Sequence, residues 1–178
     1  YYGCAASDMA DKPALSANIA VEWAKRALAA AGGAADATPP TIWTLQRFPY
    51  NPGGFGAGAV WKYKYTRMPR DFYVYTFVAD VSGVANATVH YKLRAAGTEP
   101  VRVRKPLAQW QHAPMQRRTF NASDPTGSVH FDILPTVMPD LYYFHFTGLA
   151  TTFLDYWVQA FDTLGNVARS DIYHVWVD

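Results

Sequence analysis

The feature that most constrains this chain is a change of hydrophobic period at the Pro39-Pro40 pair. Upstream, Ala20, Trp23, Ala24, Ala27, Leu28 and Ala31 fall at i, i+3, i+4, i+7, i+8 and i+11, the spacing of one helical face. Glu22, Lys25 and Arg26 take the opposite side, so the spacing predicts an amphipathic helix over 13–31. Asp11 and Pro13 supply a start, and Gly32-Gly33 a stop, because glycine accepts the left-handed conformation that ends helices. Such a helix needs a surface for its apolar stripe. A stripe lying on the rest of the chain would make the molecule self-contained, and a stripe facing solvent would imply a missing partner. Residues 34–40 (AADATPP) read as a linker, since adjacent prolines cannot continue a helix.

Beyond the prolines the pattern alternates, in runs such as DFYVYTFVAD (71–80), ATVHYKLRA (87–95), SVHFDIL (128–134), LYYFHFTG (141–148), LDYWVQAFD (154–162) and DIYHVWV (171–177). Successive side chains of a strand point to opposite faces. Tyr156, Val158 and Ala160 are therefore expected to face a core, with Asp155, Trp157, Gln159 and Phe161 outward. In the last run Tyr173, Val175 and Val177 go in, while His174 and Trp176 go out. The reversal Asp162-Thr163-Leu164-Gly165-Asn166 carries turn residues and makes these two runs hairpin neighbours, bringing Trp157 and Trp176 to one face. Many short strands with turn punctuation predict a mainly β chain: an immunoglobulin- or fibronectin-like antiparallel β-sandwich preceded by one N-terminal α-helix. Residues 1–36 are then a helical segment, the remnant of a preceding domain, and 37–178 the sandwich. The stretch RVRKPLAQWQHAPMQRR (102–118) reads as a basic, partly solvated excursion or a contact loop.

Composition removes several classes of function. Half of the residues are hydrophobic and 16% are aromatic, which excludes a disordered chain. A net charge of +2 leaves no electrostatic footprint for nucleic acid. No run of about 18 apolar residues exists to span a bilayer. Cys4 alone can form neither an internal disulfide nor a multi-cysteine zinc site. The start at Tyr1, without methionine or an apolar leader, points to a processed product or a fragment. Asn86-Ala87-Thr88 and Asn121-Ala122-Ser123 are sequons, which make Asn86 and Asn121 candidate glycosylation sites in an extracellular or secretory setting.

Three stretches, in order, resemble the accessory region beyond the catalytic domain of bacterial family-57-type glycoside hydrolases, the group with α-amylase-like and glucan-remodelling enzymes. They are TPPTIWTLQRFPYNPGG (38–54), VYTFVADVSGVANATVHYKLR (74–94) and LDYWVQAFDTLGNVARSDIYHVWV (154–177). The opening, YYGCAASDMADKPALSANIAVEWAKRAL (1–28), is more loosely similar to the last helical segment of such a catalytic domain. The resemblance implies a non-catalytic accessory sandwich that supports the catalytic domain, binds an α-glucan, or both. It brings no catalytic residue, because the family's carboxylates sit on the barrel that would precede residue 1. The alternative is a structural interaction module in an extracellular or surface assembly, packing against other protein chains.

The residues support the same division. Glycosidic hydrolysis needs two carboxylates about 5 or about 6.5–9.5 Å apart across a cleft. Glu22 and Glu99 are the only glutamates, and the twelve aspartates fall mostly at strand ends and turns, where aspartate caps its own backbone. His90, His112, His130, His145 and His174 form no metal-binding spacing, although strand pairing could unite His145 and His174. Residues 53–58 lack the spacing of a phosphate-binding loop. No metal ligands are assigned, and a structural calcium at the 162–166 turn is the one cofactor left open. Sugars present an apolar C–H face on which a flat ring can stack. Trp23 is assigned to helix packing, which leaves Trp43, Trp61, Trp110, Trp157 and Trp176 as candidate polysaccharide-binding residues. Against that stands burial of the same rings in the core or under a loop.

Overall fold

The structure, a computed structural model, describes residues 17–31, 36–56, 66–119 and 138–178. Residues 17–31 form helix α1, and the rest is antiparallel β-structure in two main sheets. In the first sheet, β5 (Phe72–Ala79) pairs on one side with β1 (Thr41–Ile42) and β2 (Gln46–Phe48). Its other neighbour is β9 (Asp140–Phe146), which carries β8 (Gln116–Arg118) at the edge. A separate ribbon joins β3 (Phe55–Gly56) to β4 (Thr66–Arg67).

The second sheet is built on β10 (Thr152–Asp162), which pairs with β6 (Val84–Arg94) along most of its length. β7 (Gln111–Pro114) extends β6, while β11 (Val167–Arg169) and β12 (Tyr173–Val177) share the far edge of β10. The expected hairpin after β10 is present, interrupted by residues 170–172. The strand expected at 128–134 lies outside the described residues.

Alternation sets the core. Phe72, Val74 and Val78 of β5 face Leu154, Tyr156, Val158 and Ala160 of β10, closed by Tyr142, Val89, Val175 and Val177. The inward residues expected on β10 and β12 are there, with Tyr173 packed at the margin. The segment expected as an excursion instead contributes a strand to each sheet. The chain passes between them at Met115, which is buried in the core and donates its N–H to the Ala87 carbonyl at 2.9 Å. A strand that changes sheet in this way closes one corner of a sandwich.

The same segment covers the outer face of β6 and β10. Trp157 points away from the core as expected, yet is 0% exposed. Its ring stacks on His90 at 4.0 Å, meets the edge of Trp110 at 6.1 Å and lies 5.8 Å from the Arg104 guanidinium. Trp110 is buried with it. Period-2 alternation tells which face a side chain takes, and says nothing about what later crosses that face.

Of the two placements open to the stripe of α1, the structure shows the outward one, with Trp23 outside the packing expected of it. The side that meets the sandwich carries Glu22, which is fully buried, and Lys25. The Lys25 ammonium donates to Glu22 Oε1 at 3.0 Å, the Pro39 carbonyl at 2.6 Å and Thr41 Oγ1 at 3.0 Å. Three acceptors satisfy its three N–H groups, so a charged anchor sets the docking face. The apolar side looks outward, with Leu28 67% exposed and Trp23 half exposed.

The sealed tryptophan should dominate the energetics of the second sheet. Trp157→Ala is expected to lower unfolding free energy by about 3–5 kcal/mol, while Leu164→Ala in the exposed turn stays within about 0.5 kcal/mol. Urea denaturation followed by circular dichroism distinguishes the two.

Candidate functional site

The outer face of the first sheet carries rings that the core does not use. On β5 the odd-numbered residues Tyr73, Tyr75 and Phe77 point away from the core side chains. Register places Phe48 and His145 on either side of Tyr73, and Gln46 and Tyr143 on either side of Tyr75. Gln116 follows beyond Tyr143. Neighbouring strands lie about 4.7–4.9 Å apart, so the rings stand in rows across the sheet. Tyr73 stacks on His145 at 4.1 Å and 9°, and tilts against Tyr143 at 6.1 Å. Tyr73 is 40% exposed and Phe48 49%, and His145 is exposed as well. The run DFYVYTFVAD contains the signal for this face, since its aromatic residues occupy both parities and only one parity can enter the core.

The tryptophans singled out from the sequence do not form one platform. Trp176 lies half-buried on the outer face of the second sheet, opposite Phe153 in register and 4.7 Å from its ring. Trp157 occupies the same face, as expected, but under the covering segment with Trp110, so neither ring presents an open face to a sugar. Trp43 is half-buried at the first sheet, 5.3 Å from Phe77. Trp61 lies outside the described residues. Asn86 is exposed on β6, and Asn121 is outside the described residues. His145 and His174 belong to different sheets. Register instead sets His90 opposite His112, with 5.8 Å between the rings.

Asp155 is a fully buried carboxylate at the middle of the second sheet. Both nitrogen arms of Arg94 donate to it, His174 Nδ1 lies 2.6 Å away, and the Val101 N–H reaches it at 3.3 Å. Burial alone would raise its pKa; hydrogen bonds from Arg94 and His174 outweigh this and hold the carboxyl below the ordinary value. Above it runs an open groove of about 890 Å³, lined by Val101, Arg104, Leu107, Arg169, Ile172 and His174. The carboxylate of Asp155 is saturated by these partners. Elsewhere, Asp36, Asp80 and Asp162 bring carboxylate oxygens within 4.8 Å of one another.

With this geometry in place, comparison with known proteins adds one relative. The chain is 28% identical over 194 aligned positions to a protein of Niallia circulans described as an alpha-amylase. The match covers 93% of this chain and 15% of that protein, so the chain spans a small part of its relative's length. No protein-family model matches. Among solved structures, purple acid phosphatase PPD1 from yellow lupin (Lupinus luteus) aligns with a TM-score of 0.37 and 12% identity. It covers 58% of this chain and 16% of the phosphatase; at that score the likeness says nothing about fold or activity.

The stacked His90 gives the molecule an acid-side weakness. Burial first, then the neighbouring His112 and Arg169, lower its pKa from 6.5 to about 4. Between these values the unfolded chain binds a proton that the folded chain refuses, so stability falls as pH drops from 6.5 towards 4. Thermal melts across that window should show the loss, and His90→Phe, which keeps a ring against Trp157, should flatten it. Below pH 4 the Asp155 contribution is lost in turn, because a carboxyl with a lowered pKa stabilises only while ionised.

Proposed function

We propose that this chain is a non-catalytic accessory β-sandwich of a carbohydrate-active protein and that it holds an α-glucan against the outer face of its first sheet. The observation that carries this reading is the exposed row Phe48–Tyr73–His145, flanked by Gln46, Tyr143 and Gln116. Rings offer stacking surface for the apolar face of a sugar, and the adjacent amide and phenol groups offer hydrogen bonds to its hydroxyls. The similarity to a protein described as an alpha-amylase supports an α-glucan as the ligand class. Holding a polymer nearby raises its effective concentration at an active site elsewhere in the same protein. An extracellular or secretory location goes with a polymeric substrate.

The non-catalytic part of the reading rests on how the carboxylates are used. Asp155 is bound on every side by Arg94, His174 and Val101. Asp80 and Asp162 are buried at one end of the sandwich, away from the aromatic row. A supporting role beside a catalytic domain draws on α1, whose Val21 and Leu28 are exposed.

Calorimetric titration of maltoheptaose and soluble starch into the 178-residue chain tests the proposal. Saturable heat is expected, and the double variant Tyr73→Ala/His145→Ala should weaken binding at least tenfold, about 1.4 kcal/mol. Loss on Trp176→Ala instead would move the glucan to the second sheet. No heat with either sugar would refute the binding role.

A further inference from the structure

Three aspartates from distant parts of the sequence meet at one end of the sandwich. Asp36 lies in the linker after α1, Asp80 follows β5 directly and Asp162 ends β10. Each has a turn built on it. Asp36 Oδ1 accepts from the Thr38 N–H at 2.9 Å and hydroxyl at 2.6 Å. Asp80 Oδ1 accepts in the same way from Ser82, at 2.9 and 2.7 Å. Asp162 Oδ1 accepts from the N–H groups of Leu164 and Asn166, and its Oδ2 accepts from Asn166 Nδ2. Asn166 Nδ2 also donates to the Asp36 carbonyl at 3.1 Å, tying the linker to the turn.

These bonds leave Oδ2 of Asp36 and Oδ2 of Asp80 buried with no hydrogen-bond partner. The Asp80 side chain is 0% exposed, which makes its orphaned oxygen the stronger observation. Lys25 is the nearest cation, 3.8 Å from that oxygen. Its three N–H groups are already donated to Glu22, Pro39 and Thr41, so it attracts Asp80 without bonding to it. A buried carboxylate oxygen left without a donor is costly, and here three carboxylates each bring an oxygen within 4.8 Å of the others. Calcium binds carboxylate oxygens at 2.3–2.6 Å, so ligands on opposite sides of one ion stand about 4.6–5.2 Å apart. The cluster fits that span, and the half-buried Asp36 leaves a side open to water.

We propose that Asp36, Asp80 and Asp162 bind one calcium-type divalent cation, which locks the linker, the β5–β6 turn and the β10–β11 turn together. Asp80 and Asp36 supply the free oxygens, Asp162 adds charge from its capped turn, and water completes the shell. The site would hold α1 and the linker on the sandwich, since Lys25 and Asp36 flank it. The proposal is independent of sugar binding.

The test uses the 178-residue chain stripped with chelator, then titrated with calcium chloride alone. Saturable heat is expected, with a rise in thermal midpoint of about 5–10 °C at a hundredfold excess over Kd. Asp80→Asn should weaken binding at least tenfold. Asp36→Asn, at the more exposed position, should do likewise and serves if Asp80→Asn fails to fold. If calcium gives neither heat nor a shift, and Asp80→Asn without calcium is as stable as the parent or more so, the two orphaned oxygens share a proton and the proposal is overturned.

Discussion

The fold depends on β10 being buried on both of its faces. Its inner residues, Leu154 to Ala160, complete the core, while Asp155 and Trp157 on the outer side are sealed as fully. A strand of that kind needs cover for an indole and neutralisation for a carboxylate. Arg94 on the neighbouring β6 provides the charge, and His174 on β12 places a ring nitrogen 2.6 Å from the carboxylate. The 101–110 segment provides the cover and its Val101 N–H a further donor. Removing one partner would leave an uncompensated charge in a dry site, which is far more disruptive than losing an exposed ion pair.

This arrangement makes the two sheets unequal. The second sheet has a chain segment laid over its outer side, so its largest rings serve packing. The first sheet keeps Tyr73, His145 and Phe48 at the surface. Rings there are set by strands rather than by loops, which fixes their spacing before any ligand arrives and reduces the ordering cost of binding. For the binding role proposed above, such a frame would suit an extended polymer better than a compact molecule, which would seek an enclosed cavity.

Much of this was legible from residue order. Alternation identified the core side of β10 and β12, because Tyr156, Val158 and Ala160 share one parity on β10, and Val175 and Val177 share one on β12. It failed where the chain changes sheets: the strand residues 111–118 are interrupted at Met115 and include Pro114, so no run is long enough to show a period. It also failed for cover, since nothing local to Trp157 announces Trp110 or Arg104. The docking side of α1 could not be read from its apolar spacing, because a polar anchor sets it. Lys25 finds three acceptors in Glu22, Pro39 and Thr41, and Thr41 donates in turn to Glu22, a match that is invisible until the linker is folded. The meeting of Asp36, Asp80 and Asp162 belongs to the same class. Each reads locally as a turn residue, and only topology brings the three together.

The long ladder between β6 and β10 has a consequence for how the molecule forms. Its paired residues, such as Ala87 and Ala160, are separated by a large part of the chain, so the central ladder closes only after a long intervening segment has been confined. Closing loops of that length before the contacts reward it makes folding slow. During synthesis β6 must wait, edge exposed, until β10 emerges. The polar and charged residues along it, from Asn86 to Lys92 and Arg94, are the kind that discourage an unpaired edge from joining the wrong neighbour in the interval.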